Sequence, residues 1–252
     1  MSAECQQLDW AGVPVWFFPS IDSTNSEALR RQAQLPDRAL ILAAEQSAGR
    51  GRLGRQWQAR AGGSLCLSVF YRRAVDLAAI QGLGPALGLA AASVLRELGV
   101  VGVALKWPND LQVDGLKLGG ILVEVAGGAQ PLALVAGIGI NVDLGDDFNI
   151  DQPWTDLRRL ACSVSVEHLA KGIGSAFLAT LDQVCEQGLP SALTEWSQFD
   201  ALAGRYVQVI GGAREGGEVL GIADDGRLRL RDQQGEWCCH SGEVSVRAVK
   251  CC

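Results

Sequence analysis

"LALVAGIGINV", residues 132–142, gives the clearest indication of the fold. Its apolar side chains share one face of an extended strand, namely Leu132, Leu134, Ile138 and Ile140. The opposite face carries Gly137 and Gly139 and ends in the polar side chain of Asn141. This alternation predicts a strand that packs one face into a core. The row of glycines leaves room for another group to lie against the other face.

Apolar runs on either side of this stretch predict further strands. They lie at residues 13–18, 39–44, 64–71, 101–106 and 117–125. In the run VGVALK at 101–106, Val101, Val103 and Leu105 share one face. Lys106 then lies on the other face, above small residues, where a ligand could rest against the sheet.

Helical periodicity separates some of these strands. One apolar stripe ends at Gly99 and consists of Ile80, Leu83, Leu87, Ala91, Val94 and Leu98. A second stripe ends before Gly188 and Pro190 and consists of Val166, Leu169, Ile173, Phe177, Leu181 and Val184. A shorter helix is expected after the segment DSTN at 22–25.

The pattern changes after residue 204, where five short strands follow one another with turns between them. The turn pairs Asp225-Gly226 and Gln234-Gly235, with Gly242, are typical of a small antiparallel barrel or sandwich. We therefore expect two domains, with the larger one at residues 1–202 and the smaller one at residues 203–252.

Composition excludes several classes of protein. The 252 residues carry a formal net charge of −6, which argues against a general nucleic-acid binder. No apolar run is long enough to span a membrane, and no secretory signal follows Met1, so we expect a cytoplasmic protein. The 8 cysteines include two adjacent pairs but no CxxC spacing, which predicts reduced thiols and no zinc site. Neither His168 nor His240 has a Ser or Cys partner suggested by spacing, so we expect no catalytic role for them.

The segment DSTN at 22–25 has two interpretations. Thr24 followed by Glu27 is typical of a helix capping box, and Ser23 or Asn25 is also a candidate cap. The free N–H groups and hydroxyls at a helix start also suit a small polar ligand. Capping is the simpler interpretation of this segment taken alone.

The segment GRGRLGRQW at 49–57 lies in a loop between two predicted strands. It lacks the GK[ST] ending of a P-loop. Arginine forks bind carboxylate or phosphate groups, and glycines let the backbone approach such an anion closely. A disordered basic loop or an RNA-binding segment is the alternative, but the run is short and single in an acidic chain.

The remaining polar segments are individually ambiguous. KWPND at 106–110 is typical of an ordinary strand exit, and a cation in a pocket at Lys106 is the alternative. Lys117 with Gly119 and Gly120 indicates a hairpin exit as readily as a ligand site. Asn141 could serve only the local backbone.

Together and in this order, DSTN, GRGRLGRQW, KWPND, KLGGILVE and GIGIN resemble the signature of biotin protein ligases, or biotin–[acetyl-CoA-carboxylase] ligases. The similarity extends through GGSLCLSVFYR and SGEVSVR and covers nearly the whole chain from about residue 15. It implies an α+β fold, with a mixed-sheet catalytic domain of the class II tRNA synthetase-like biotin/lipoate ligase type. It also implies a small C-terminal SH3-like β-barrel.

The resemblance implies an enzyme that joins biotin and ATP, with Mg²⁺, into biotinyl-5'-AMP. The biotin would then pass to a lysine of the biotin carboxyl carrier protein of acetyl-CoA carboxylase. Biotin would be bound by Ser23, Thr24, Asn25, Gln46, Arg50, Lys106, Gly119 and Gly120. ATP or the adenylate would be bound by Arg52, Arg55, Trp57, Lys117, Asn141 and Arg247. Arg50 and Lys106 would be catalytic, and no metal site formed by the protein itself is implied.

Some twenty residues precede DSTN, fewer than the DNA-binding domain of bifunctional members needs. We therefore expect a monofunctional ligase that binds neither DNA nor membrane, and an exposed strand edge would allow a homodimer. A lipoate ligase, which shares the fold, and a non-catalytic biotin-binding module are the alternatives. The Arg-Arg-x-Ser-Gly-Gly type of motif usual in lipoate ligases is absent from this sequence.

Overall fold

The computed structural model describes residues 5–73, 82–126, 131–146, 152–212, 214–240 and 245–248. The strands of the first part of the chain are β1 (Gln6–Trp10), β2 (Val13–Phe18), β3 (Arg38–Ala43), β4 (Ser64–Arg73), β5 (Val103–Lys106), β6 (Asp110–Val113), β7 (Leu116–Ala126) and β8 (Leu132–Asn141). The later strands are β9 (Tyr206–Ile210), β10 (Gly216–Ile222), β11 (Leu228–Asp232), β12 (Gly235–Cys239) and β13 (Ser245–Ala248). The helices are α1 (Thr24–Arg30), α2 (Leu83–Glu97), α3 (Val166–Gln187) and α4 (Trp196–Phe199).

The first eight strands form one mixed sheet in the order β1-β2-β3-β4-β8-β7-β6-β5. Strands β2 and β3 are parallel, and the other neighbours are antiparallel. All ten residues of β8 are buried, because β8 lies between β4 and β7 and is covered on both faces. The predicted mixed sheet is confirmed.

The alternation in β8 separates two apolar layers. Leu134 and Ile138 pack with α2 and α3 in the main core, whereas Ala133 and Val135 belong to a second cluster with Ala28 of α1. Since side chains along a strand point alternately to either face, Gly137, Gly139 and Asn141 lie on the α1 side. This side is where the cavity described below is found.

The two long helices agree with the predicted apolar stripes. The side chain of Ser165 caps the start of α3 by accepting a hydrogen bond from the backbone N–H of His168, and Gly188 ends the helix with a φ of 82°. Ile80 of the other predicted stripe lies outside the described residues. Among the helices of the described ranges, none is long and apolar enough to cross a membrane.

The last five strands form an antiparallel sheet in the order β12-β11-β10-β9-β13. The predicted small antiparallel unit is confirmed, and its closure into an SH3-like barrel and the boundary at residue 203 stay predictions. A buried hydrogen bond from the indole N–H of Trp107 to the carbonyl of Gly226, 2.9 Å long, joins the turn before β11 to the large sheet. Gly226 has a φ of 77° and packs so closely on Gly82 that a side chain would clash with it.

One expected strand is corrected, and the structure adds two strands. Strands β1 and β6 were not predicted. The strand at 101–106 begins only at Val103, because Gly102 adopts a φ of 75° and Val101 lies in the turn before it, 86% exposed. The predicted turn residue Gly242 lies outside the described part of the chain.

Candidate active site

A cavity of about 450 Å³ lies against the glycine-bearing face of β8. Most of the predicted site residues line it, namely Ser23, Thr24, Asn25, Gln46, Arg50, Arg52, Arg55, Trp57, Lys106, Lys117, Gly120 and Asn141. These residues come from the start of α1, the arginine-rich loop and the strands β5, β7 and β8. The sheet thus brings together motifs that are distant in sequence.

Two predicted site residues do not line the cavity. Gly119 faces the core, where an added Cβ would lie 2.6 Å from the carbonyl oxygen of Gly139 and 3.3 Å from a Leu111 methyl group. Consecutive strand residues face opposite sides, so Gly120 lines the cavity and Gly119 does not, and the expected contact of the Gly119 backbone with biotin stays a prediction. Arg247 lies exposed on β13, near enough for its charge to lower the pKa of Lys106.

Hydrogen bonds fix the polar residues at the start of α1. Ser23 is the N-cap, and its hydroxyl accepts a bond from the backbone N–H of Ser26. The Gln46 side-chain oxygen accepts from the backbone N–H of Thr24 at 2.7 Å and lies 3.1 Å from the Thr24 hydroxyl. The capping box starting at Thr24 is thus corrected, since Ser23 caps the helix and Glu27 pairs with arginines instead.

Ser68 of β4 connects Thr24 with Asn25 beneath the cavity. Its hydroxyl lies 2.6 Å from the Asn25 side-chain oxygen and 2.7 Å from the Thr24 hydroxyl, and all three residues are buried. The Asn25 side-chain nitrogen donates to the carbonyl of Leu122 and to the carboxylate of Glu124. Because each amide atom meets a partner of the right kind, the orientation of the Asn25 side chain is fixed.

The arginine-rich segment is a short hairpin, here called the arginine hairpin and comprising residues 49–57. The backbone N–H of Trp57 bonds the carbonyl of Gly49, and that of Gly51 bonds the carbonyl of Arg55. A single 3-10 turn, Arg52–Gly54, forms its tip. Leu53 is half exposed there with a φ of 57°, in the left-handed region that L side chains rarely adopt.

Arg50 lies at the base of the arginine hairpin and forms an ion pair with Glu124 of β7. The two bonds run from its Nη2 to Oε1 at 2.7 Å and from its Nη1 to Oε2 at 3.3 Å. This is the fork geometry in which a guanidinium and a carboxylate bind most specifically. Arg50 is half exposed and lines the cavity, whereas Glu124 is mostly buried behind it.

The indole of Trp57 lies against Gly139. An added Cβ at Gly139 would be 2.3–2.6 Å from three atoms of the indole ring, which means that only glycine allows this contact. The ammonium group of Lys117 is 5.8 Å from the indole centre. The tryptophan thus contacts strand β8 and lies near a cation from β7.

The other cations of the cavity surround Asp110. Its carboxylate is 2.8 Å from the Lys117 ammonium group. Burial lowers the pKa of Lys106, the charge of Asp110 opposes this change, and neighbouring cations lower the pKa further. Burial also lowers the pKa of Arg52, and again Asp110 opposes the change. Among the described residues that line the cavity, Asp110 is the one carboxylate beside five lysine and arginine side chains.

Asn141 ends β8 at the far side of the cavity. Its side-chain nitrogen donates to the carbonyl oxygens of Thr155 and Lys117. Its side-chain oxygen is buried and has no hydrogen-bond partner among the described residues. Buried polar atoms nearly always have partners, so this oxygen is suited to a donor supplied by a ligand.

Comparison with known proteins identifies the family. The Biotin/lipoate A/B protein ligase family model matches residues 17–141. The chain is 37% identical to the Bifunctional ligase/repressor BirA of Escherichia coli, across 97% of this chain and 77% of that protein. It is 33% identical to the Biotin--[acetyl-CoA-carboxylase] ligase of Paracoccus denitrificans, across 88% of this chain and 96% of that protein. The chain belongs to the biotin protein ligase family.

Structural similarity agrees with membership of the biotin protein ligase family. The structure of the Aquifex aeolicus biotin protein ligase in complex with biotin and ATP is similar, with a TM-score of 0.80 and 23% identity. The similarity covers 93% of this chain and 99% of that chain. It shows that the two proteins share a fold, and the family resemblance inferred from the motifs is confirmed.

Some residues of this biotin protein ligase fold were not predicted to contribute to the site. Asp110 and Glu124 are the acidic residues that end the motifs KWPND and KLGGILVE, each of which begins with a lysine. An acidic residue inside a motif that carries a cation was a signal from which they could have been predicted. Ser68 lies in an apolar strand, and nothing local distinguished it. Trp154 lines the cavity because residues 153–155 bond to the backbone of Lys117, a contact without sequence periodicity.

Proposed function

We propose that this protein is an ATP-dependent ligase that activates biotin as biotinyl-5'-AMP. It then transfers biotin to a lysine of the biotin carboxyl carrier protein of acetyl-CoA carboxylase. The observation that carries the proposal is the division of the cavity into a neutral hydrogen-bonding part and a cationic part. Membership of the biotin protein ligase family supports the same conclusion.

The neutral part suits the ureido group of biotin, which presents one carbonyl and two N–H groups. Ser23, Thr24 and Gln46 lie together at the start of α1 and offer hydroxyl and amide groups. Gly120 and Gly137 bring no side chain into this part of the cavity. We assign biotin to this side.

The cationic part suits the triphosphate and the biotin carboxylate. During activation, a carboxylate oxygen forms a bond to the α-phosphorus of ATP, and the bond to the leaving pyrophosphate breaks. The two reactants are both anions, so positive charges held in place stabilise their approach without a protein nucleophile. Arg50 and Lys106 are our candidates for this role, and Arg52 and Arg55 for holding phosphate.

The nucleotide base is assigned to the end of the cavity at Trp57 and Asn141. The indole provides a flat apolar surface for the adenine. The buried side-chain oxygen of Asn141 could accept a bond from the adenine amino group. Lys117 and Arg247 would contact the nucleotide from the strands β7 and β13.

Mg²⁺ is proposed to enter with ATP. Magnesium in nucleotide sites is usually held by one or two carboxylates together with substrate phosphates. The described residues include no group of three or more potential metal ligands, whereas Asp110 provides one carboxylate beside the cations. Asp110 is therefore the residue that would hold an ATP-bound Mg²⁺, which would neutralise phosphate charge.

Transfer requires the intermediate to survive until the carrier arrives. The neutral amine of the carrier lysine attacks the carbonyl carbon of the mixed anhydride, AMP leaves with the bonding electrons, and the amine loses a proton. The arginine hairpin lies beside this part of the cavity and is proposed to shield the anhydride from water. Its exposed tip at Leu53 and Gly54 agrees with such a role.

We also propose a cytoplasmic protein that acts without DNA or membrane. The net charge of −6 argues against DNA binding. The six described cysteines are all free thiols, which supports a reducing compartment such as the cytoplasm. The homodimer stays a prediction.

The test uses the purified protein with biotin, MgATP and a biotin carboxyl carrier protein. We expect biotin-dependent pyrophosphate release and then biotinylation of one carrier lysine. Lipoate, added as a competitor, should not reduce pyrophosphate release or become adenylated. Well-folded protein that performs neither step, or that prefers lipoate, would refute the proposal.

A further inference from the structure

Glu124 has a defined partner that the sequence motifs do not suggest. Its carboxylate binds the guanidinium of Arg50 through two separate N–H groups, with contacts of 2.7 and 3.3 Å. Arginine has five N–H groups in a rigid plane, and one more of them reaches the Ser26 hydroxyl, 3.5 Å from Nη1, so two remain for other acceptors. The carboxylate therefore fixes the plane of the guanidinium and still leaves it able to bind an anion in the cavity.

The carboxylate of Glu124 is itself held in place. The side-chain nitrogen of Asn25 donates to its Oε2 at 2.9 Å, and the hydroxyl of Ser68 lies 2.6 Å from the Asn25 side-chain oxygen. That oxygen can only accept, so Ser68 donates its single proton to it. Ser68 is fully buried, and Asn25 is 3% exposed. Buried networks in which every member is satisfied are rigid.

The network also contacts the part of the cavity that we assign to the biotin ureido group. The Thr24 hydroxyl lies 2.7 Å from that of Ser68 and donates to it, because Ser68 uses its own proton on Asn25. The Gln46 side-chain oxygen accepts from the backbone N–H of Thr24 at 2.7 Å. One connected set of bonds therefore runs from Gln46 through Thr24, Ser68, Asn25 and Glu124 to Arg50. It connects the residues assigned to biotin with the arginine assigned to the reacting carboxylate.

We propose that Glu124 is a positioning residue for the activation step, which fixes the Arg50 guanidinium toward the reacting anions and is itself oriented by Asn25 and Ser68. This proposal rests on the function proposed above. Glu124 contacts no substrate in this account and acts only through Arg50. Loss of its charge should therefore affect the rate of activation more than the binding of either substrate.

The test compares Glu124→Gln with the wild type in biotin-dependent pyrophosphate release. Glutamine has the same size and keeps an acceptor for Asn25, but it has no charge for Arg50. We expect kcat to fall about 10- to 100-fold, the usual cost of a small misplacement in an active site. The KM values for biotin and ATP should change much less.

A double-mutant cycle with Arg50→Ala gives the second readout. If Glu124 acts through Arg50, Glu124→Gln should slow the Arg50→Ala enzyme by no more than about twofold. The matched control is Glu27→Gln, because Glu27 pairs with Arg30 and Arg31 and does not line the cavity. Its side chain is at least as buried as that of Glu124, with 11% exposed against 19%. This control should keep the wild-type kcat, which separates positioning from a general loss of an ion pair.

Each outcome has a defined meaning. A wild-type kcat in Glu124→Gln, or an effect that adds fully to that of Arg50→Ala, would overturn the Glu124 proposal. The proposed function would still stand as long as the wild-type protein forms the adenylate. If the wild-type protein itself makes no adenylate, the proposed function fails instead. If Glu124→Gln does not fold, Glu124→Asp keeps the charge but moves it away from Arg50, and an unchanged kcat in that variant would also overturn the proposal.

Discussion

Replacing Gly139 by alanine should weaken ATP binding by displacing Trp57. The added Cβ would lie 2.3 Å from Cε2, 2.5 Å from Cζ2 and 2.6 Å from Nε1 of the indole. Carbon atoms make their best contact at about 3.5–4.0 Å, so the indole must retreat by about 1 Å or more. Stacking of a base on an aromatic side chain is worth about 1–3 kcal/mol. Losing it should raise the KM for ATP about 5- to 150-fold.

The assay for Gly139→Ala is pyrophosphate release at saturating biotin with ATP varied. Gly172→Ala is the matched control, because Gly172 lies on α3 away from the cavity and its added Cβ would meet only a Val94 methyl group at 3.2 Å. Trp57→Ala should raise the KM similarly, and Gly139→Ala should add little to it. A folded Gly139→Ala protein with the wild-type KM for ATP would refute the reasoning.

Three further predictions concern the same region. Arg52→Gly should release biotinyl-5'-AMP faster and label nearby lysines without selectivity, and a trapping assay that shows wild-type retention would contradict this. Burial lowers the pKa of Lys106, so Lys106 should lose its charge at a lower pH than a solvent-exposed lysine does. Adenylation by the wild type should therefore decline at that lower pH. In Lys106→Arg the residual activity should extend to higher pH because arginine stays charged, and an unmoved alkaline limit would exclude Lys106 as the titrating group. Trp107→Phe removes the bond to Gly226 and should lower the free energy of unfolding by about 1–3 kcal/mol, whereas unchanged urea denaturation would show that this bond does not stabilise the fold.

Features that depend on local alternation were predictable from the sequence. The two faces of β8 and the apolar stripe of α3 follow from residues two, three or four positions apart. The end of α3 at Gly188 follows from this glycine and from Pro190 two positions later. These signals are contained within the segment itself, so no knowledge of its neighbours was needed.

Strands without such a signal were missed. All five residues of β1 are exposed or half-exposed, so it has no apolar face to detect. Strand β6 has only four residues and follows directly on the turn residues of KWPND. Both exist because they pair with neighbouring strands, and this pairing is a tertiary effect.

The site was predictable as a set of residues but not as a set of contacts. The motifs identified Arg50, Trp57 and Asn141 because the family resemblance includes them. The partner of Arg50 is Glu124, 74 positions further along the chain, and only the folded sheet brings the two together. The contact of Trp57 with Gly139 likewise depends on how the arginine hairpin folds over β8.

The account depends on arginine and lysine side chains that bring a carboxylate and a phosphate together. Its sharpest test is the rate of biotinyl-5'-AMP formation by Arg50→Ala and Lys106→Ala, measured on the isolated adenylate at saturating substrates. We expect each variant to lose about 2–4 kcal/mol of transition-state stabilisation, the usual effect of removing one preorganised contact. Adenylate formation at the wild-type rate in both folded variants would contradict the account.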